Sequence, residues 1–221
     1  MVDIFDEISE DLRAERSALL LRRYGGVLIA LAVLVLLAVA GQQLWSAYQV
    51  KRNNAAAAQY SGITQPLDNL GSGITAQQEI AGADALAKFG KTAPAGYRSL
   101  AYLRAAGLYA TAGQTRAAAD LWNAIASDRN ADPLLRELAD LLWAQHALGT
   151  VPDDAVLARL QPLTAPDNVW HGLAQETQAL LYLHDGKKDQ AKAVFGQIAS
   201  DPTVPEGARN RADALLAQLN G

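Results

Sequence analysis

Residues 25–41 read GGVLIALAVLVLLAVAG, and no charged residue stands between Arg23 and Lys51. A bilayer core of about 30 Å needs roughly 20 helical residues. Residues 24–45 supply that length, with Tyr24 and Trp45 at the ends, where membrane interfaces favour aromatic rings. Apolar residues also recur at helical spacing before this run, at Ile4, Ile8 and Leu12, and the pattern continues past it through QQLWSAYQVKRNNAAAAQY without a breaker. From residue 53 onward, Ala-rich and Leu-rich segments are interrupted at Gly71, Gly73, Gly90, Gly113, Gly149 and Gly186. No period-2 run of β-branched residues occurs, so the pattern predicts an all-helical domain.

Start and stop signals place individual helices. One continues from the apolar run to about Leu70, a second covers residues 76–89, and the last covers 206–220. Loops are expected over 69–75 and 91–96. Thr75 with Gln78 forms a candidate capping box, Asp132-Pro133 sets a cap before a first-turn proline, and Pro94 and Pro205 suit first-turn positions.

The chain also repeats itself. Shifted by 73 residues, positions 98–148 match 171–221 at 17 of 51 places. Ala106, Tyr109, Gly113, Ala118 and Ile125 fall on Ala179, Tyr182, Gly186, Ala191 and Ile198, with Trp122 opposite Phe195. Gly149 lies 36 residues after Gly113 and 37 before Gly186, so the unit is about 36 residues and the longer period is two units. A period in this range marks stacked helical hairpins. The spacing Ala-x2-Tyr-x3-Gly-x4-Ala-x3-(Trp/Phe) resembles the tetratricopeptide repeat, in which small residues let paired helices approach and a glycine ends the first helix. The middle unit, roughly 131–163, is degenerate. The expected fold is therefore all-α: a single N-terminal transmembrane helix followed by a tetratricopeptide-like α-hairpin solenoid.

Charge orients the span. Arg13, Arg16, Arg22 and Arg23 precede it, whereas only Lys51 and Arg52 follow closely, a bias that puts the N-terminus in the cytoplasm. The expected organisation is a cytoplasmic amphipathic tail over 1–23, an anchor over 24–45 and a periplasmic repeat domain over 46–221. A cleaved leader is the rival, because Ala38-Val39-Ala40 fits a processing site; the six acids among the first 23 residues argue for an uncleaved anchor. Residues 53–221 carry 13 Lys and Arg against 17 Asp and Glu, no footprint for nucleic acid. With no cysteine, disulfides and thiol chemistry are excluded.

Catalytic patterns are lacking. His146, His171 and His184 fall on three helices without an HExxH pairing, so no metal is expected. Gly71-Ser72-Gly73-Ile74-Thr75-Ala76 mimics a dinucleotide loop but follows no strand, and Asp153-Asp154 read as first-turn acids. The sequence predicts no enzyme and no cofactor.

Taken with the leader DIFDEISEDLRAERSALLLRRYGG, the single span and the Ala-rich repeats resemble a proteobacterial family of inner-membrane proteins, that of the ancillary subunit of the SecYEG translocon. The resemblance implies association with the translocon and with periplasmic chaperones that receive exported unfolded chains, and it brings no catalytic residues. The alternative is a periplasmic repeat protein coordinating envelope growth or division. If the repeat register of the family holds, the groove-facing positions are Leu100, Leu103, Gly107, Ala110 and Thr111 in one unit and Leu173, Glu176, Leu180, Leu183 and His184 in the other. Such a groove, apolar with one acid at Glu176, favours hydrophobic segments.

Overall fold

The computed structural model describes the backbone of residues 3–220 and the side chains from Tyr24 onward, except those at positions 25, 28, 72 and 221. The side chains of the expected cytoplasmic tail, among them Ile4, Ile8 and Leu12, lie outside the described residues. No strand occurs among the described residues, and the chain divides into two compact units, residues 1–54 and 55–221.

Helix α1 spans Asp3–Leu70. Its part within the first unit is long and apolar enough to cross a membrane. The side chains of Val27, Ile29, Leu31, Leu34 and Leu37 are exposed. Trp45 and Tyr48 close this stretch with ring centroids 6.3 Å apart, just ahead of Lys51 and Arg52. Such an aromatic and basic collar is what an interface selects.

The second unit is an array of hairpins. The last turns of α1 pair with α2 (Ala76–Gly90), then α3 (Ala95–Thr111) with α4 (Thr115–Ser127), α5 (Pro133–Ala147) with α6 (Asp153–Leu160) and α7 (His171–His184) with α8 (Lys188–Ser200). Helix α9 (Glu206–Asn220) packs on α8. Each hairpin touches mainly the next, and the core is divided accordingly. One cluster around Leu86 and Phe89 joins α1, α2 and α3; another around Trp122 and Ile125 joins α3, α4 and α5. A third around Leu141 and Leu160 joins α5, α6 and α7, and the last, around Phe195 and Ile198, joins α7, α8 and α9.

Local chemistry explains the helix ends. Thr75 and Gln78 form the capping box in full, and Asp132 accepts from the Leu134 backbone N–H with Pro133 in the first turn. Gly113 and Gly186 adopt φ of 76° and 74°, as a left-handed C′ residue requires. Around them the N–H of Gln114 reaches the Tyr109 carbonyl at 2.7 Å and that of Lys187 the Tyr182 carbonyl at 2.8 Å, the six-to-one bond of a Schellman motif. Gly149 differs. It follows Leu148 at φ −52°, ψ 126°, and the Thr150 N–H bonds the Ala147 carbonyl, which makes a type II turn. The middle hairpin departs here because α6 has only eight residues and is extended by a 3-10 turn over Gln161–Thr164. Pro94 is one residue outside the expected place: it sits at the cap of α3 with ψ 153°, its carbonyl accepting from Arg98. Pro205 likewise precedes α9.

The 73-residue duplication extends to a side-chain tie. Arg98 Nη1 lies 3.0 Å from Asp128, and 73 residues on His171 Nε2 lies 3.2 Å from Asp201, each tie linking the start of one hairpin to its end. Asp128 is held below the usual carboxylate range, first by the Asn130 backbone N–H; Asp201 is lowered first by the Thr203 hydroxyl, then by its N–H.

Replacing Gly113 or Gly186 by Ala forces a Cβ into the left-handed region and should cost about 1–2 kcal/mol each in denaturant unfolding. Depressed carboxyl pKa values stabilise the fold above the unfolded value of about 4 and lose that contribution as pH falls through the folded one. Melting temperatures should therefore drop below about pH 4, and the drop should be shallower for Asp128→Asn combined with Asp201→Asn.

Candidate protein-binding groove

The first helices of successive hairpins, α3, α5, α7 and α9, lie side by side. On α3 the positions Leu100, Arg104, Gly107 and Thr111, spaced by one turn of helix, form an exposed stripe, Leu100 being 44% exposed. Along its second half runs an open cavity of about 550 Å³. Leu103, Gly107, Leu108 and Thr111 of α3 form one wall. Leu67 and Asp68 from the end of α1, Gly71, Ile74 and Glu79 of α2 supply the other.

Two polar bridges cross its rim. Arg104 Nη2 donates to Asp68 Oδ1 at 2.6 Å. The Thr111 hydroxyl has one proton and three acceptors near, Glu79 Oε1 at 2.8 Å, the Leu108 carbonyl at 3.0 Å and the Gly107 carbonyl at 3.2 Å. The carboxylate is the stronger acceptor. Nearby, the Tyr109 phenol donates to Asp84, a further bond between α3 and α2. Burial first, and then this bond, pushes the Tyr109 pKa up to about 12.

Leu103, Gly107 and Thr111 thus meet at one cavity, while Leu100 continues the stripe beyond it and Ala110 is half-buried against the core of α3, α4 and α5. The positions on α7 are dispersed. Leu173 packs into the core with α5 and α6, and Leu183 into the core with α8 and α9. Glu176 receives two bonds from Arg211, Nε and Nη2 each at 2.7 Å, so the acid expected to stand alone in the groove is neutralised by α9. Leu180 and His184 remain exposed one turn apart, and a Cβ added at Gly149 would come 2.9 Å from His184 Nε2.

Asp68, Ile74, Glu79 and Arg104 were not read from the sequence as site residues. The hairpin of α1 and α2 shares no repeat match with the others, so no register could place its residues. The only signal was the exposed charge at position 104 on the α3 stripe. The histidines stand apart from one another. His146 stacks on Trp122 at 4.8 Å with its pKa lowered by burial, His171 faces Asp201, and His184 lies 3.7 Å from Asp185. No cluster able to hold a metal ion occurs among the described residues.

The ring-carbon NMR signal of Tyr109 should titrate near pH 12. Because the folded chain favours the neutral phenol, this tie is intact below the unfolded pKa of about 10 and fades as pH rises through 12. Asp84→Asn should bring the titration down part of the way, leaving the share due to burial.

No curated protein and no solved structure matches the chain. A family model described as tetratricopeptide repeat-like domain matches residues 20–216. That match spans most of the sequence and the whole hairpin array, and by it the chain belongs to the tetratricopeptide repeat-like domain family.

Proposed function

We propose that this protein is a non-enzymatic, membrane-anchored scaffold whose repeat array, residues 46–221, binds other polypeptides, with residues 24–45 as the anchor and 1–23 on the cytoplasmic side. The carrying observation is the accessible stripe on α3 beside an open cavity, in a fold that typically serves protein interaction rather than catalysis. The exposed apolar face of α1 supports the anchor. The excess of arginine before it supports an inner-membrane placement with the array in the periplasm.

Likeness of the leader, span and repeats to the ancillary subunit of the SecYEG translocon directs the reading further, to an accessory that meets the translocon, periplasmic chaperones and exported unfolded chains. Photocrosslinking tests this. With a crosslinker at Leu103 or Leu180 in intact cells, translocon or chaperone adducts are expected, and carbonate-washed membranes should retain the protein. A well-expressed protein that yields no adduct overturns the scaffold reading. Release into the soluble periplasm after Ala40 would overturn the anchor and favour a free envelope protein.

A further inference from the structure

We propose that the cavity between α1, α2 and α3 takes a large apolar side chain of a partner polypeptide with a Lys or Arg beside it, the cation pairing with Glu79. This rests on the protein-binding reading above and specifies the segment bound.

Shape comes first. Leu67, Ile74, Leu103 and Leu108 supply an apolar part of a lining that Asp68, Glu79, Arg104 and Thr111 otherwise make polar, and Gly107 adds a stretch of bare helix backbone. A glycine inside a helix costs about 1 kcal/mol relative to alanine. Where Gly82, Gly90 and Gly172 bear that cost, the chain itself fills the space a Cβ would need, with Leu67, Tyr102 and Val204. At Gly107, as at Gly62, Gly96 and Gly196, nothing lies within 4 Å, and of these four Gly107 is the one that lines the cavity. Some 550 Å³ lies within the range of ligand sites, roughly 300–1,000 Å³, with room for one anchor side chain and its flanking backbone.

Charge selects the neighbour of that anchor. Arg104 is already matched by Asp68. Among the described residues Glu79 accepts a hydrogen bond from the neutral Thr111 hydroxyl and forms no ion pair. The lining therefore carries one uncompensated negative charge, which attracts an ammonium or guanidinium group. A carboxylate, including a chain terminus, would meet two acids and a guanidinium already in use. A segment pairing a bulky apolar residue with a basic one satisfies both halves of the lining.

The test uses the full chain in detergent micelles and fluorescent peptides of Gly and Ser carrying a central Phe-Lys, Phe-Glu or Ser-Lys pair. Fluorescence anisotropy should show Phe-Lys binding roughly tenfold tighter than either other peptide. Gly107→Leu, which places a branched side chain in the cavity, should abolish binding, and Leu103→Ser should weaken it. Gly107→Ala should stay folded with weaker binding. Glu79→Gln should make Phe-Lys and Phe-Glu equal while keeping both above Ser-Lys, and Val169→Ala, at an exposed position outside the cavity lining, should change nothing. Circular dichroism confirms folding, and Leu103→Ser carries the test if Gly107→Leu does not fold.

Equal binding of Phe-Lys and Phe-Glu, unchanged binding in Gly107→Leu, no saturable binding, or self-association of the chain through this site would each overturn the proposal. Cellular adducts from Leu103 and Leu180 that persist in Gly107→Leu would leave the scaffold standing and remove the pocket; their absence from the parent protein would remove the scaffold itself.

Discussion

Close approach of neighbouring helices over buried alanine is the constraint on which the repeat unit depends. Ala101, Ala105, Ala106, Ala118, Ala139, Ala174, Ala179 and Ala191 are fully buried. Each contributes little area by itself, but a methyl group at the crossing lets helices come near enough for dispersion contacts to add up along their length. The gaps left between hairpins are then filled by one large ring each in the two matching copies, Trp122 and Phe195, both almost wholly buried. Everything on the exposed side follows from that economy. With the alanine face of α3 turned inward, Leu100, Arg104, Gly107 and Thr111 are left facing out.

Polar ties recur at the spacing of the repeat. Asp68 with Arg104 and Asn123 with Arg159 are 36 residues apart, and Glu176 with Arg211 is 35 apart. Exposed pairs of this kind stabilise weakly. Their consequence here concerns charge: Asp68 takes up Arg104 and Glu176 takes up Arg211, whereas Glu79 forms no ion pair among the described residues. Arg159 also compensates for the short α6, its guanidinium lying 4.0 Å over the Trp143 ring and 3.4 Å from Asp140, so α4, α5 and α6 converge on one side chain. Burial raises the Asp140 pKa against the pull of that arginine.

Much of the architecture was legible in the residues themselves. The capping box at Thr75, the cap at Asp132, the left-handed glycines 113 and 186 and the end of α1 at Leu70 all depend on chemistry within a few residues, which a linear reading contains. The duplication was legible because identical packing demands returned identical residue types. Pro94 fell one residue outside the expected turn, since a proline with extended ψ serves as well at the cap as within the first turn, and Pro205 likewise lies just ahead of α9. The break at Gly149 was visible as a degenerate unit, but the type II turn behind it was not, because several turn types use a glycine with positive φ.

By itself the sequence determined that the chain is helical, that one stretch is apolar enough to span a bilayer, and that the remainder is built from hairpins of about 36 residues. Helical periodicity and end signals are properties of near neighbours along the chain. Only the tertiary structure decided which exposed positions share a cavity and which charges remain free. Glu176 looked like the lone acid of the groove until α9 placed Arg211 against it. Glu79 had no visible role until α2 set it beside Thr111 of α3. Both outcomes depend on contacts 32 to 35 residues apart, and nothing in the local pattern chooses which distant side chain arrives.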